Sequence, residues 1–477
     1  MKTNLSDLIA ALPQEEDASE VLGSVEAQER LQAIFSDLAH RPVPTGSLHR
    51  LWTLGELSTQ VTLAYAALWF RQFFADAETK QRRAMETNLR VALKMTHRLG
   101  YLRGAATKLG QMLGNLPEIL PDQVVSTLDM LHFQAPPMHY SLLRETVRND
   151  FGKDPSELFA TFDKEPFAAA SIGQVHRATL KSGETVAVKI QYPGIGRSIA
   201  ADIRNLMAIL FPMRLTRQWA VMKAHAGEIQ RMFELEIDYE QEARNMRDAR
   251  ALFEPADGIV VPRVYDGYST HRVLTSEFLP GKLLPQFVAG DPSQQIRDEF
   301  GRKIKTAWDR MYYAFMSQAD PHSGNYVFME DGRLGLLDFG CLQRFTPEER
   351  EITEQIERVL DGELSTGDLL RLDRYVTEAD LANPDFVATS EREFHAFMKP
   401  LFHEGAFDFA DGQHFKNSMD AFQELVRKRY TAGHPVHIYL HRACFGLGAL
   451  LFRLRCRVDM REIRALEIER RAARGES

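Results

Sequence analysis

Three short segments of the chain carry side chains suited to magnesium and phosphate chemistry. In Asp320-Pro-His-Ser-Gly-Asn325, a carboxylate and an amide stand close together, and Leu336-Leu-Asp-Phe-Gly340 places a further carboxylate before a Phe-Gly pair. Mg²⁺ prefers oxygen ligands of these kinds. The third segment, Val186-Ala-Val-Lys189, puts a lysine on a predicted strand, and a lysine in that position is able to contact phosphate.

The order and spacing of the three segments match those of protein-kinase nucleotide sites. Such sites combine a glycine-rich loop, a strand lysine, a catalytic loop with Asp and Asn, and an Asp-Phe-Gly segment. In that arrangement Asp320 faces the nucleophile, and Asn325 and Asp338 hold Mg²⁺. Lys189 contacts the α- and β-phosphates of ATP. Each segment alone is common by chance, but their joint order predicts a site for ATP and Mg²⁺.

The loop ahead of the lysine strand departs from the kinase pattern. Ala168 and Ala170 stand where the first two glycines belong, whereas Gly173 and Val175 keep the pattern. Because glycine lets the backbone approach phosphate closely, alanine methyl groups restrict that approach. This favours ATP hydrolysis, or transfer to a small or lipid-like substrate, over general protein kinase activity. The residues predicted to contact the nucleotide from strands and loop are Ala168, Ala169, Ala170, Ser171, Gly173, Val175, Lys189 and Glu277.

Two further departures concern the catalytic loop and the segment after it. Gln318 stands where the His of a kinase H-R-D triplet belongs, so we expect Asp320 to be held differently. No Ala-Pro-Glu segment follows Asp338, which removes the usual substrate-docking segment.

The sequence resembles the UbiB family of atypical kinase-like proteins, also called aarF-domain kinases. The stretch Val43-Pro-Thr-Gly-Ser-Leu-His-Arg50 is similar to the branch of that family linked to coenzyme Q biosynthesis. The likeness covers about residues 42–345 and rests on four segments: Lys108-Leu-Gly-Gln111, Ala168-Ala-Ala-Ser-Ile-Gly-Gln-Val-His176, Glu236-Ile-Asp238 and Asp320-Pro-His-Ser-Gly-Asn325.

The resemblance implies a kinase fold with an N-terminal helical extension that folds over the active site. In such a fold Lys108 and Gln111 project from the extension toward the site, near the carboxylates of Glu236 and Asp238. A covering helix of this kind restricts the entry of a bulky protein substrate.

The resemblance also implies that Glu242 pairs with Lys189. The predicted catalytic residues are therefore Asp320, Lys189, Lys108, Gln111, Glu236, Asp238 and Glu242. A different interpretation of the acids remains open, because they also fit the solvated face of an amphipathic helix that comprises Glu236, Asp238, Glu240 and Glu242.

The elements that must position these residues are predicted to be helical at both ends of the chain and strand-rich between them. The Lys181-Ser-Gly-Glu184 and Asp331-Gly332 segments predict hairpin turns. Thr346, Pro347 and Glu349 predict a capped helix start. The expected strands are Val175–Leu180, Thr185–Gln191, Val260–Val264, Arg272–Phe278, Tyr326–Met329 and Leu334–Leu337; the expected helices cover about 51–113, 197–253 and 291–318, with helix continuing from Thr346 onward.

These elements predict an α+β, protein-kinase-like two-lobed fold with an N-terminal helical extension and a helical C-terminal part. We expect an acidic segment at 1–45 and the helical extension at 46–160. A kinase-like N-lobe with a helical insertion is expected at 161–280, and a mostly helical C-lobe at 281–477.

Composition narrows the possible partners and compartments. The net charge of −8 argues against a nucleic-acid binder, since such proteins concentrate basic residues. The three cysteines lack CxxC spacing, which fits a reducing compartment. We expect no signal peptide and no membrane-spanning segment, and hence a cytoplasmic protein. The aromatic stretch Val61–Phe74 leaves open a peripheral contact with the inner membrane, although helix core is the alternative.

The favoured function is an atypical kinase-like ATPase or phosphotransferase that uses Mg-ATP and supports ubiquinone biosynthesis. Its expected partners are ATP and, beyond it, lipid or isoprenoid-quinone precursors and their biosynthetic enzymes. Two alternatives remain, a small-molecule phosphotransferase and a nucleotide-binding pseudokinase scaffold. The scaffold is disfavoured by the retained kinase residues Lys189, Asp320, Asn325 and Asp338.

Overall fold

The computed structural model describes residues 138–170, 172–195, 234–318, 323–428, 430 and 436–475. Several predicted features lie outside these ranges: the helical extension with Lys108 and Gln111, the aromatic stretch at 61–74, Ser171 and Asp320.

The described helices and strands alternate in the first part of the chain and are mostly helical in the last. The helices are α1 Tyr140–Phe151, α2 Pro155–Leu158, α3 Tyr239–Ala251, α4 Leu284–Ala289, α5 Gln294–Tyr313, α6 Pro347–Leu360, α7 Thr366–Leu372, α8 Glu378–Leu381, α9 Pro384–Phe402, α10 Gly412–Arg427, α11 Val436–Leu454 and α12 Met460–Arg474. The strands are β1 Thr161–Phe162, β2 Ala168–Ala170, β3 Gly173–Thr179, β4 Thr185–Gln191, β5 Ile259–Val260, β6 Val273–Glu277, β7 Lys282–Leu283, β8 Met316–Gln318, β9 Tyr326–Phe328, β10 Leu334–Leu336, β11 Leu342–Arg344, β12 Phe407–Asp408 and β13 Arg457–Val458.

The described residues fall into two compact units. The first unit contains those up to Tyr239 together with Tyr265–Thr275, and the second contains Glu240–Val264 and those from Ser276 onward. Mixed helices and sheets in two units agree with the predicted α+β kinase-like class. The domain boundaries expected from the sequence stay predictions.

The first unit is built on an antiparallel sheet with the strand order β1-β3-β4-β6, in which β2 also pairs with β3. The predicted turn between β3 and β4 is confirmed, and Gly183 adopts a φ of 102° there, which glycine tolerates best. Along β4, Val186, Val188 and Ile190 are buried on one face. Because α1 packs against β4 and also buries Leu143, these side chains form the core of the unit.

One buried carboxylate ties α1 to the segment before β6. Asp150, whose side chain is 2% exposed, forms an ion pair with Arg272. Its second oxygen accepts a hydrogen bond of 2.6 Å from the Thr270 hydroxyl. Charge-assisted hydrogen bonds of this kind are stronger than neutral ones. These contacts hold the C-terminal end of α1 against the segment that precedes β6.

The second unit contains a small sheet with the order β5-β10-β9-β7. Its central hairpin, β9-β10, confirms the Asp331-Gly332 turn, and Gly332 has a φ of 85°. The predicted start of α6 is confirmed as well. Thr346 accepts a hydrogen bond from the backbone N–H of Glu349, and the Glu349 side chain accepts one from the Thr346 N–H.

The helix predicted over 291–318 is too long at its C-terminal end, and that part of the prediction is wrong. Helix α5 ends at Tyr313, and Met316–Gln318 forms strand β8 paired with Leu342–Arg344 of β11. Phe315 adopts a φ of 55°, which stops the helix, and its carbonyl accepts a 2.9 Å hydrogen bond from Phe345. The pairing with β11 then satisfies the backbone groups of β8.

The C-terminal part is helical, as expected, except for the short pair formed by β12 and β13. A cluster of buried side chains from the β11–α6 region, α7 and α11 forms one part of its core: Phe345, Ile352, Ile356, Val359, Leu369 and Leu440. Among the residues that the structure describes, no helix has the length and apolar character needed to cross a membrane.

Candidate nucleotide site

In the first unit, strand pairing brings the predicted nucleotide residues into one row. Ala168 pairs with Val175, and Val175 pairs with Lys189 on β4. Directly paired residues of an antiparallel sheet point to the same face. Ala168, Val175 and Lys189 therefore share the face opposite the α1 core. Ala170 and Gly173, which also pair, form the adjacent row on this face.

The lysine of this row contacts a buried aromatic ring. The Lys189 ammonium lies 5.0 Å from the ring centroid of Tyr239, which is fully buried. At this distance the ring face attracts a cation. Tyr239 thus contacts the Lys189 ammonium, and the sequence offered no local signal for this contact.

Packing within the first unit requires a glycine at position 173. A Cβ at this position would overlap the backbone carbonyl oxygen of Ile190 and would lie 3.0 Å from the Tyr239 hydroxyl oxygen. The retained third glycine therefore allows β3 to approach β4 and Tyr239 closely.

The acidic segment Glu236–Asp238 is anchored to the sheet of the first unit. The Gln191 side chain donates to the carbonyl of Ile237 at 2.6 Å and to that of His271 at 3.2 Å. Glu236 is buried, and Asp238 is half-buried. Burial of Glu236 contradicts a solvated helix face at that position, so the alternative interpretation of the acids is wrong there.

His176, which ends the alanine motif, has a structural environment. It is buried on the core face, its Nδ1 lies 2.8 Å from the Asp163 carbonyl oxygen, and its ring stacks on Phe162. Burial lowers the pKa of His176. Neighbouring Gln174 receives a hydrogen bond from the Met138 N–H and donates one back to its carbonyl. Both side chains stabilise the β3-β4 hairpin on its core face, which is opposite the face of Lys189.

In the second unit, Asn325 and Asp338 flank the open end of the β9-β10 hairpin. Tyr326 pairs with Leu336, and the Leu337 N–H donates to the Asn325 carbonyl at 2.9 Å. Asn325 ends a short 3₁₀ turn before β9, whereas Asp338 follows β10. The hairpin therefore places the two predicted metal ligands at one end of the sheet.

The Asp338 carboxylate is held over its own turn. Its Oδ1 accepts a 2.9 Å hydrogen bond from the Gly340 N–H. A Cβ on Gly340 would lie 3.3 Å from this oxygen and 3.6 Å from Oε2 of Glu242. Glu242, on α3, is 1% exposed. The two carboxylates thus flank one point beside Gly340, where a Cβ would be in tight contact with the Asp338 oxygen and in ordinary contact with Glu242.

Two buried amides hold the backbone of the Asp338–Gly340 segment. Gln318 Nε2 donates to the Asp338 carbonyl at 2.8 Å, and Asn245 Nδ2 donates to the Phe339 carbonyl at 2.9 Å. Gln318 also accepts from the Tyr326 hydroxyl at 3.3 Å. The amide of Gln318 thus donates to the Asp338 carbonyl and accepts from Tyr326 at once.

Sequence reasoning missed Asn245, although one signal was available. It lies three residues after Glu242 on α3, and residues at this spacing share a helix face. A polar residue at that spacing from a predicted catalytic glutamate was a candidate for the same site.

Glu277, predicted to contact the nucleotide, is hydrogen-bonded to the backbone of Arg263. Its N–H donates to the Arg263 carbonyl at 2.8 Å, and its carboxylate accepts from the Arg263 N–H at 3.2 Å. The carboxylate also lies 3.8 Å from Arg250. Its nucleotide contact stays a prediction.

Other parts of the predicted site also stay predictions. The pairing of Lys189 with Glu242 joins residues of the two units, and Lys108, Gln111, Ser171 and Asp320 are not among the described residues. Within the described ranges, no group of three or more His, Cys, Asp or Glu side chains is arranged to hold a metal ion. Mg²⁺ in ATP sites needs only one or two protein carboxylates, because phosphates and water complete its shell.

Comparison with known proteins identifies a kinase-like domain in the chain. The ABC1 atypical kinase-like domain matches residues 130–363. The chain is 33% identical over 314 residues to "Atypical kinase coq-8, mitochondrial" of Caenorhabditis elegans, covering 64% of this chain and 41% of the worm protein. It is 28% identical over 434 residues to "Atypical kinase COQ8B, mitochondrial" of Danio rerio, covering 89% and 68% respectively.

A solved structure supports the fold. The Rv3197–erythromycin complex from Mycobacterium tuberculosis is similar with a TM-score of 0.52 and 23% sequence identity, and the likeness covers 80% of this chain and 97% of that one. The domain match and the named relatives show that residues 130–363 form an atypical kinase-like domain of the ABC1/AarF (UbiB) family.

Proposed function

We propose that the chain binds Mg-ATP and acts as an atypical kinase or ATPase that supports ubiquinone biosynthesis. The observation that carries the proposal is the position of Asn325 and Asp338 at one end of the β9-β10 hairpin, joined through the Leu337–Asn325 hydrogen bond. This is the arrangement that a catalytic-loop asparagine and an Asp-Phe-Gly aspartate need to hold a shared cation.

The donor chemistry of these residues fits Mg²⁺. Asp338 supplies a carboxylate and Asn325 an amide oxygen, both hard ligands. When bound, the ion would neutralise charge on the β- and γ-phosphates. Gln318 and Asn245 keep the backbone of residues 338–340 in place, so the Asp338 carboxylate is oriented before any ligand arrives.

On the first unit, Lys189 is the candidate phosphate contact. Its row with Ala168 and Val175 presents the ammonium on the face away from the α1 core. The methyl groups of Ala168 and Ala170 stand on this face, which favours hydrolysis of ATP or transfer to a small or lipid-like acceptor. Asp320 remains the proposed group that faces the acceptor or water.

The biosynthetic role is proposed from the family branch. The relatives in worm and zebrafish carry the names coq-8 and COQ8B, and the motif at 43–50 resembles the coenzyme Q branch. The chain spans only 41% of the worm relative's length, so substrates and partners are proposals in full. We propose lipid or isoprenoid-quinone precursors, or their biosynthetic enzymes, as partners, with peripheral contact to a membrane.

The site assignment is tested with Asp338→Asn and a matched control, Asp331→Asn. Asp331 lies at the turn of the same hairpin, and its side chain is 51% exposed. A ligand at a hundred times its Kd stabilises a folded protein by about 2.7 kcal/mol. Mg-ATP should therefore raise the Tm of the wild type and of Asp331→Asn. Asp338→Asn should lose most of that rise while keeping the ligand-free Tm. Equal Mg-ATP stabilisation of all three proteins would refute the assignment.

The biosynthetic role needs a separate experiment. Quinones are profiled in a strain that lacks the protein and is complemented with the wild type or Asp338→Asn. The wild type should restore ubiquinone and Asp338→Asn should not. Unchanged ubiquinone in the deletion strain would remove the biosynthetic proposal and leave Mg-ATP binding untouched.

A further inference from the structure

The helical part of the second unit lines a partly open cavity that lies outside the proposed nucleotide site. Its volume is about 150 Å³, and its walls come from α5, β8, α6, α9, α10, α11 and α12. Aromatic rings form part of the wall. Phe415 stacks on Phe452 with centroids 5.4 Å apart and lies 5.1 Å from Phe445. The lining is predominantly apolar.

The buried charges in the wall are already engaged with one another. Lys305 forms an ion pair with Asp309 one helical turn away on α5. Arg464 is paired with Glu357 at 2.6 Å and with Asp361 at 2.8 Å. A charged ligand would lose its hydration here without gaining an ion pair, and such desolvation is costly. An uncharged apolar ligand has no such cost.

A glycine on α11 leaves open space at the cavity wall. A Cβ added to Gly448 would meet no atom within 4 Å, although Gly448 lies inside a helix of 19 residues. Glycine is unfavourable in a helix interior relative to alanine. The absence of a side chain at this position therefore keeps volume open that a larger residue would occupy.

We propose that this cavity is a binding site for a small, uncharged, apolar molecule of about the size of one benzene ring. An apolar cavity of about 150 Å³ is large enough to bind benzene in another protein. The matching volume here, with aromatic walls and internally paired charges, fits such a molecule and excludes ionised ones of the same size.

Strand β8 connects the cavity to the Asp338–Gly340 segment. Met316, Ser317 and Gln318 of β8 form part of the cavity wall, and Gln318 donates to the Asp338 carbonyl at 2.8 Å. An occupant contacts β8 and so affects the position of Gln318. The coupling rests on the proposed function, whereas the binding site itself does not.

The test uses the full chain and toluene as the probe. Toluene should raise the Tm of the wild type in a saturable way, and benzoate and benzylamine should not. Gly448→Ala, which introduces one methyl group into open space, should weaken toluene binding several-fold. Gly448→Leu should abolish it. Gly267→Ala is the control. A Cβ at Gly267 also meets no atom within 4 Å, but Gly267 does not line the cavity.

The outcomes separate the two parts of the proposal. A wild-type Tm that does not respond to toluene, or a response that Gly448→Ala leaves unchanged, overturns the site, even if Gly448→Leu fails to fold. Toluene binding with an unaltered Mg-ATP Kd overturns the coupling alone. Coupling is supported when toluene changes the Mg-ATP Kd in the wild type but not in Gly448→Leu. Failure of all Mg-ATP binding in the wild type would instead count against the proposed function.

Discussion

A substitution of Asn245 tests how the backbone of the Asp338–Gly340 segment is held in place. Its Nδ2 donates to the Phe339 carbonyl at 2.9 Å, and its Oδ1 accepts from Gln241 at 2.9 Å. The side chain is 2% exposed. Asn245→Leu keeps the approximate volume and removes both hydrogen bonds. The Phe339 carbonyl then loses a donor in a place where water does not readily replace it.

The expected magnitude follows from that lost donor. Leaving a buried acceptor without its partner costs about 1–3 kcal/mol in the free energy of unfolding. Part of the loss is offset, because burying leucine costs less than burying an amide. We therefore expect about 1–2 kcal/mol of destabilisation, measured as a lower urea midpoint at unchanged m-value. The Mg-ATP Kd should rise at the same time, since the Asp338–Gly340 backbone is no longer fixed.

Asn417→Ala is the control for this experiment. Asn417 is exposed on α10 and accepts from Gln413 at 2.7 Å. A surface change of this kind should stay within about 0.5 kcal/mol and leave the Mg-ATP Kd unchanged. Wild-type stability of Asn245→Leu would refute the importance of the hydrogen bond. A loss of stability with an unchanged Kd would refute the positioning role and leave only a structural one.

Two further predictions concern packing and pH. Gly173→Ala should lower the free energy of unfolding by about 1–3 kcal/mol in thermal unfolding, because its methyl group overlaps the Ile190 carbonyl. Ala170→Gly on the paired strand should lower it by no more than about 1 kcal/mol. Equal effects of the two substitutions would contradict the packing argument. Burial raises the pKa of Glu393 to about 8, above its unfolded value, so the stability that this group contributes is fully present below about pH 4.3 and is lost as the pH rises toward 8. Glu393→Gln should remove that dependence, which approaches about 1.4 kcal/mol per pH unit inside the window; a variant with the wild-type pH profile of unfolding would show that Glu393 is not the source.

Local signals predicted the parts of the fold that local chemistry determines. The glycine of the β3-β4 turn, the Asp331-Gly332 hairpin and the Thr346 cap all act within a few residues, and all are confirmed. The end of α5 was mispredicted because a non-local partner decides it. Helical spacing continues into Met316–Gln318, but pairing with Leu342–Arg344 turns that segment into a strand.

The same distinction explains which site residues the sequence revealed. Asp338, Asn325 and Lys189 stand in short segments whose spacing is informative without a fold. Tyr239 and Asn245 act through partners far along the chain: Tyr239 lies against Lys189, and Asn245 donates to Phe339. Tertiary packing creates both contacts, so Tyr239 has no local signal, and the signal for Asn245 is limited to its spacing of three residues from Glu242.

The alanine-for-glycine departure acquires a physical meaning from the strand register. Ala168 and Ala170 are strand residues, and an extended backbone accommodates alanine without strain. Gly173 alone among the aligned positions has no room for a Cβ, because Ile190 and Tyr239 approach it. The fold therefore requires the third glycine but not the first two. The two methyl groups lie on the same face of the sheet as Lys189, which is the proposed nucleotide face. An effect of these alanines on nucleotide chemistry should consequently appear in ATP affinity and turnover, with little change in the stability of the sheet.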